Sequence, residues 1–236
     1  MNWLLLAIAP GIAISLYIIL KDEYNREPRK HLLFSFVLGI AAIFPALVIE
    51  SLLSLVQDGS FYNTIPGIAF KAYFSVALVE ELSKFFMLYL YAYRQSEFDE
   101  PFDGIVYAVM VGMGFATLEN ILYVYQYGMA TGWIRMFTAV PAHASFAIIM
   151  GYFMGKSKFS HAREKQLIVA GIFWASFFHG SYDFFLFLNE NQLVVSTISS
   201  SLLILGALVS LIIGVVLSRK AIKAHLSLSK QSFKEN

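Results

Sequence analysis

Long apolar runs dominate this chain and restrict what it can fold into. Seven of them are close to the length, about 20 residues, that a helix needs to cross a bilayer. They cover residues 3–20, 32–56, 67–93, 104–127, 134–154, 167–188 and 193–217. The chain is 58% hydrophobic and only 14% charged, so little polar sequence remains for a soluble domain. The sequence therefore predicts an all-α protein, a polytopic transmembrane helical bundle of about seven spans.

The basic residues predict how this bundle sits in the membrane. The loops after the first, third and fifth runs and the C-terminal tail carry four, one, four and five of the 17 Lys and Arg residues. The opposite loops carry at most Arg135. By the positive-inside rule the N-terminus is expected outside and the C-terminus in the cytoplasm. We expect residues 1–217 to form a single transmembrane domain and residues 218–236 to form a basic cytoplasmic tail.

Charge, cysteine content and the first apolar run exclude several classes. The net charge of +1 gives no reason to expect a nucleic-acid partner, and a chain without Cys has no disulfides or thiolate nucleophiles. The first run has no basic residue before it and no cleavage site after it, so we interpret it as a retained span.

Ionisable residues inside the apolar runs are the strongest functional signal. Glu80, Glu81 and Lys84 lie within the third run, where each charge costs roughly 2.5–3.5 kcal/mol at a helix centre. Lys84 is spaced to meet Glu80 at i,i+4 and Glu81 at i,i+3. A purely structural ion pair is the alternative interpretation, but one ammonium neutralises only one of the two carboxylates.

Three further runs carry polar groups at comparable depth. These are Glu119 with Asn120, His143 after Pro141, and the pair His179 and Asp183. At 1.5 Å per residue, Glu119 and the two histidines lie ~12–13 Å from the outer ends of their spans, Asp183 ~7 Å and Glu80 ~20 Å. One shared cavity that opens outward explains this alignment. Glu50 is a weaker candidate, because its side chain can reach water at the end of its span.

The chemistry expected of such a cavity is hydrolysis. The sequence has no presenilin-type Asp pair, Gly-x-Ser-x-Gly, Cys or His-Glu-x-x-His motif. Carboxylate and imidazole acting on water remain, with Glu80 as general base and Glu81 with Lys84 setting its charge. Glu119 and His143 would complete the water site, and His179 with Asp183 would stabilise the oxyanion. We expect no cofactor, with zinc held by Glu80, Glu119, His143 and His179 as the open alternative.

These motifs resemble those of the PrsW intramembrane proteases. The similarity rests on Glu80-Glu81-x-x-Lys84, Phe115-x-x-x-Glu119-Asn120, His143-Ala144, His179-x-x-x-Asp183 and the segment 101–107. It implies a peptidase of the bacterial plasma membrane that makes the first, extracytoplasmic-side cut in a single-span anti-sigma factor. That cut leads to release of an extracytoplasmic-function sigma factor under envelope stress.

A wider similarity and two other classes of protein supply alternatives. The pattern is remotely similar to the CAAX prenyl endopeptidase clan, but that clan has Arg one residue after the position of Lys84 and His at the position of Glu119. A prenyl-protein endopeptidase is therefore one alternative. A proton-coupled transporter is another, since intramembrane Glu, His and Asp also form proton relays. A non-catalytic scaffold locked by these polar groups is the third.

Overall fold

The computed structural model describes residues 3–56 and 59–235, and this part of the chain is helices joined by short connections, without a strand. The α-helices are α1 (Trp3–Lys21), α2 (Arg29–Leu55), α3 (Gly59–Tyr62), α4 (Ile65–Phe70), α5 (Leu78–Leu90), α6 (Pro101–Tyr127), α7 (Met129–Phe137), α8 (Ala139–Lys158), α9 (Glu164–Glu190), α10 (Gln192–Val195) and α11 (Ser200–Glu235). A π-helical segment (Lys71–Ala77) joins α4 to α5, and 3-10 turns follow at Ala92–Arg94 and His161–Arg163. The all-α prediction is confirmed.

Five helical segments in the described residues are long and apolar enough to cross a membrane. They are Trp3–Lys21, Arg29–Leu55, Pro101–Tyr127, Met129–Lys158 and Ser200–Gln231. The chain is therefore a multi-pass membrane protein. The total of seven spans, the orientation of the termini and the division at residue 217 stay predictions.

The two remaining predicted spans are also helical, but they are more polar. Residues 67–93 form α4, the π-helical segment and α5, and residues 167–188 lie within α9. Their hydropathy is lowered by the residues that the sequence singled out, above all Glu80, Glu81, His179 and Asp183. The loop expected at residues 57–66 contains α3, while Gln57 and Asp58 lie outside the described residues.

Helix α6 is the centre of the bundle, and most of its residues are buried. It packs closely on α8 where two glycines face each other: a Cβ added to Gly151 would lie 2.7 Å from the Cα of Ile105 and would also collide with the backbone of Gly104. Small residues at such crossings allow membrane helices to approach closely. The consequence is that Glu119 on α6 and His143 on α8 lie on neighbouring helices held in a fixed register.

The start of α6 closes one end of the bundle. Pro101 occupies the first turn, and the Asp103 carboxylate accepts hydrogen bonds from the backbone N–H groups of Asp99 (2.9 Å) and Glu100 (2.7 Å). Tyr107 donates to the carboxylate of Glu27 in the α1–α2 connection. The segment 101–107, which the sequence singled out, thus caps a helix and ties it to a neighbouring loop. We call this end the basic end, because the loops and tail with 14 of the 17 Lys and Arg residues lie there.

The π-helical segment precedes α5 and packs against α9. Its wider turn changes the direction of side chains, a feature common near functional sites. Gly180 of α9 packs on this segment, since a Cβ there would lie 2.9 Å from Tyr73 Cγ. Tyr73 Oη and Ser181 Oγ are 2.9 Å apart, which adds a polar contact between the same two segments. This close packing brings the following residues of α5 against α9.

Candidate active site

Three helices bring two glutamates and two histidines together inside the bundle. Glu80 and Glu81 come from α5, His143 from α8 and His179 from α9. One potential ligand atom from each of the four lies within 4.8 Å of the others. All four side chains are buried, with residue exposures of 6%, 1%, 5% and 3%. We call these four residues the Glu–His group.

Lys84 is the cation of this group. Its Nζ donates to Glu81 Oε1 at 2.7 Å and to Glu80 Oε2 at 3.0 Å, as the i,i+3 and i,i+4 spacings predicted. It also lies 3.2 Å from His143 Nδ1 and 4.1 Å from the centroid of the Phe115 ring. One ammonium therefore serves both carboxylates and an imidazole in a buried site.

The two imidazoles share one arrangement. His143 turns Nδ1 toward the Glu–His group and holds Nε2 2.8 Å from Glu119 Oε2. His179 places Nδ1 3.0 Å from Glu81 Oε1 and holds Nε2 3.2 Å from Asp183 Oδ2. Each ring therefore has one nitrogen against a charged residue of α5, Lys84 or Glu81, and the other on a carboxylate outside the group. Carboxylates in this second position orient histidines that bind metals.

Arg135 contacts two of the candidate residues, and the sequence interpretation did not include it. Its Nη2 donates to Glu119 Oε2 at 2.6 Å, and its Nε donates to Asn120 Oδ1 at 3.0 Å. Asn120 in turn donates to the carbonyl of Ala7 at 2.9 Å, which links α1, α6 and α7. The available signal was Arg135 itself, the one basic residue next to the loops that otherwise carry none.

Aromatic rings enclose the histidines. Phe146 stacks on His179 with centroids 4.8 Å apart and an angle of 15° between the ring planes. His143 meets His179 nearly edge to face, with centroids 5.1 Å apart. These contacts restrict ring rotation and exclude water from one side of the group. Neither Phe146 nor this ring contact was predicted from the sequence.

The structure places the candidate catalytic and supporting residues in one connected set. Glu80, Glu81, His143 and His179 form the Glu–His group, and Lys84, Glu119, Asn120 and Asp183 contact it or one another. Glu119 lies outside the group that has metal-ligand spacing, and Glu81 stands in its place. Glu50 is near enough to Glu80 and Glu119 to interact with them electrostatically, so it is not simply exposed at a helix end.

Glu119 and His179 lie in the half of the bundle away from the basic end, and Glu80 lies near the middle of its helical segment. At 1.5 Å per residue, Glu119 is ~12 Å from the end of α6, and His179 is ~17 Å from the end of α9. Both distances are measured to the helix ends opposite the basic end, at Tyr127 and Glu190. This placement agrees with the depth calculated from the sequence.

The Glu–His group suits a divalent metal ion. Two carboxylates and two imidazoles are ligands that zinc accepts in proteins. Glu81 Oε2 is buried and has no hydrogen-bond partner, which leaves a carboxylate oxygen available for a cation. The carboxylates behind both histidines complete the pattern expected around metal ligands. The donor set therefore fits a metal, with the Lys84 ammonium lying among the same atoms.

Comparisons with known proteins agree with this geometry. A family profile described as PrsW family intramembrane metalloprotease matches residues 27–218. The chain is 40% identical over 183 residues to Protease PrsW of Geobacillus kaustophilus, covering 78% of this chain and 79% of that one. It is 41% identical over 181 residues to Protease PrsW of Bacillus subtilis, covering 76% and 80%. No solved structure gives a significant match.

These findings correct one prediction and confirm another. The expectation that no cofactor is needed is wrong, because the family is described as metalloproteases and the chain buries a Glu–His group able to hold a metal. The prediction of a peptidase is confirmed by the same profile and by the relatives. This chain belongs to the PrsW family of intramembrane metalloproteases.

Proposed function

We propose that this protease makes the first, extracytoplasmic-side cut in a single-span anti-sigma factor, and that this cut leads to release of an extracytoplasmic-function sigma factor under envelope stress. The observation that carries the proposal is the buried Glu–His group, whose two histidines lie in the half of the bundle opposite the basic end. With the orientation predicted from Lys and Arg, that half faces the outer leaflet. A substrate that crosses the same bilayer once would present its outer flank at this depth.

We assign ligand roles to Glu81, His143 and His179. Glu81 is the most enclosed of the four residues and has a buried, unpartnered Oε2. The two histidines have the Nε2 contacts to Glu119 and Asp183 that fix an imidazole for metal binding. When bound, the metal would acidify a water molecule and polarise the scissile carbonyl. His179 is thus a ligand in this proposal instead of the oxyanion donor expected from the sequence.

Glu80 is the proposed general base. It is the less enclosed of the two adjacent glutamates, with 6% exposure against 1% for Glu81. Its carboxylate oxygen Oε2 lies 3.9 Å from His179 Nε2. A carboxylate in this position can take a proton from the attacking water and return it to the leaving amine. The Lys84 ammonium on Oε2 orients the Glu80 side chain and balances its charge while it carries out these transfers.

Outside the group, Glu119 and Asp183 act as positioning residues for the two imidazoles. Arg135 Nη2 donates to Glu119 Oε2, the same oxygen that His143 Nε2 contacts, and Asn120 fixes the guanidinium. Glu119 is thus engaged by one cation and one imidazole. Its proposed role is therefore to orient His143.

Co-expression with candidate single-span anti-sigma factors tests the proposed function. The wild-type chain should produce a shortened substrate fragment in membranes, and Glu80→Gln should remove that fragment at equal protein levels. Glu23→Gln is the matched control, because Glu23 is exposed and lies in the α1–α2 connection at the basic end. Its cleavage should equal that of the wild type.

Mapping the new terminus of the fragment tests the side of the cut. The proposal requires cleavage within or just outside the outer half of the substrate span, and activation of a reporter controlled by the sigma factor. The proposal would be contradicted if the chain cleaved single-span proteins but no anti-sigma factor. A cut at the cytoplasmic end of the substrate span would also contradict it.

A further inference from the structure

An apolar groove lies on the bundle surface, apart from the Glu–His group. It has a volume of about 550 Å³ and is formed between α8, α9 and α11. Its walls include Ile149 and Phe153 of α8, Trp174 and Phe178 of α9, and Leu217 of α11. The volume falls within the roughly 300–1,000 Å³ range of ligand pockets in proteins.

One end of this groove is positively charged. Lys220 is exposed and belongs to its lining. Tyr152 also lines the groove, and its hydroxyl accepts a hydrogen bond from Lys156 Nζ at 3.3 Å. Lys156 is itself exposed in the last turn of α8. Two ammonium groups thus belong to the mouth of a groove whose other walls are mainly apolar.

Distances along the helices place this mouth at a membrane interface. Lys220 is 20 residues beyond Ser200 on α11, or ~30 Å at 1.5 Å per residue, which equals the thickness of the hydrocarbon layer. Phe178 is 14 residues into α9 from the basic end, or ~21 Å. The groove therefore extends from the interface at the basic end toward the middle of the membrane.

We propose that this groove binds one anionic phospholipid from the leaflet at the basic end. An acyl chain would lie along Phe153, Trp174 and Phe178, and the phosphate would contact Lys220 and Lys156. Such a lipid matches both features of the groove. Its acyl chain fits the apolar walls, and its anionic headgroup fits the ammonium groups at the mouth. A zwitterionic lipid balances its phosphate with a cation in its own headgroup, and a free phosphate has no apolar body to fill the groove.

Native mass spectrometry of the full chain in mild detergent tests the proposal. Phosphatidylglycerol and phosphatidylcholine with identical acyl chains are added at matched concentrations, and glycerol 3-phosphate serves as the headgroup without a chain. The wild type should retain one phosphatidylglycerol per monomer, retain phosphatidylcholine less, and not bind glycerol 3-phosphate. The same lipid should raise the midpoint of thermal unfolding.

Two variants test the two halves of the site separately. Lys220→Gln should weaken retention of phosphatidylglycerol about fivefold, the effect of one lysine near an anionic membrane surface. Ala224→Trp should abolish retention of either lipid by filling the groove from an exposed lining position. Arg219→Gln is the matched control, because it removes an equal charge from the same turn of α11 at an exposed residue outside the lining.

Four results would overturn the proposal. Equal retention of the two lipids would show that the headgroup is not recognised. An equal loss in Arg219→Gln and Lys220→Gln would show diffuse attraction to basic residues. Unchanged retention by Ala224→Trp would place the lipid elsewhere, and tight binding of glycerol 3-phosphate would make this a phosphate site. Size-exclusion profiles and thermal unfolding without lipid show whether each variant is folded.

Discussion

Glu81 on α5 and His179 on α9 share a 3.0 Å hydrogen bond between Oε1 and Nδ1. Both residues are almost fully buried, and each has a second charged partner, Lys84 for Glu81 and Asp183 for His179. Buried charges are stable only when paired and hydrogen-bonded. This contact therefore holds α5 and α9 together and also brings two potential metal ligands into one group. Substitutions of these residues and their partners should separate catalytic roles from structural roles.

Replacing the two adjacent glutamates should have different effects on metal content. We predict that Glu80→Gln lowers the cleavage rate by about 10²–10⁴-fold, the usual effect of losing a general base, while bound metal is retained. Glu81→Gln should lose both cleavage and metal. Elemental analysis of purified protein beside a cleavage assay measures both quantities. If Glu80→Gln lost the metal and Glu81→Gln kept it, the two assignments would have to be exchanged.

Asp183, whose carboxylate contacts His179 Nε2, should affect the affinity for the metal. We predict that Asp183→Asn weakens metal binding about 10–100-fold, because the ring loses a partner that orients it and raises its basicity. Competition with a chelator measures this affinity. Asp99→Asn at the basic end is the control, and its affinity should match the wild type. If Asp183→Asn bound the metal as tightly as the wild type, Asp183 would have no positioning role at the site.

Arg135 should act through Glu119. We predict that Arg135→Gln weakens metal binding and slows cleavage, because Glu119 loses its 2.6 Å contact and His143 loses a fixed partner. Arg135→Lys should restore little, since an ammonium cannot reproduce the paired donation to Glu119 and Asn120. A double-mutant cycle with Glu119→Gln should show a coupling energy of about 0.5–3 kcal/mol in unfolding experiments. Strict additivity of the two changes would show that the contact has no role.

Lys84 should be essential for folding. We predict that Lys84→Met destabilises the protein by roughly 3–5 kcal/mol, because Glu80 and Glu81 are left as buried charges without a counterion. Thermal unfolding in detergent measures the loss. Lys71→Met is the matched control, since Lys71 lies over the Phe187 ring at 4.5 Å and its loss should cost about 0.5–1 kcal/mol. Equal stability of the two variants would mean that Lys84 does not balance the charge of the group.

Stability should also depend on pH through Glu27 at the basic end. Burial raises the pKa of Glu27 to about 7, and the Asp22 and Asp99 carboxylates add to this rise, although Tyr107 and Asp103 hydrogen bonds oppose it. Between its ordinary pKa of 4.5 and 7 the folded protein keeps a proton that the unfolded chain releases. Stability therefore decreases as pH rises through this window, and it stays low above pH 7.

A glutamine at position 27 cannot ionise, so it should remove this loss. We predict that the unfolding free energy of Glu27→Gln exceeds that of the wild type by roughly 1–3 kcal/mol at pH 8 and is similar to it at pH 4. Glu23→Gln, at an exposed position in the same connection, should behave as the wild type at both values. A benefit of Glu27→Gln at pH 4 alone would reverse the sign and contradict the prediction.

The sequence by itself determined the class of the protein. Apolar runs, and ionisable residues within them, can be recognised from short stretches of sequence. They predicted a helical membrane protein and singled out Glu80, Glu81, His143 and His179 without coordinates. The spacing of Lys84 from both glutamates was readable for the same reason, because residues three and four apart on a helix meet.

Only the tertiary structure decided which residues share the site and how. The sequence had placed Glu119 among the metal ligands, whereas packing of α5 against α9 puts Glu81 there and leaves Glu119 between His143 and Arg135. Nothing local to Arg135 or Phe146 indicates their partners, since each acts on a residue of another helix. The physical reason is that rotation and register of packed helices depend on contacts between distant segments, such as Gly151 with Gly104 and Gly180 with Tyr73.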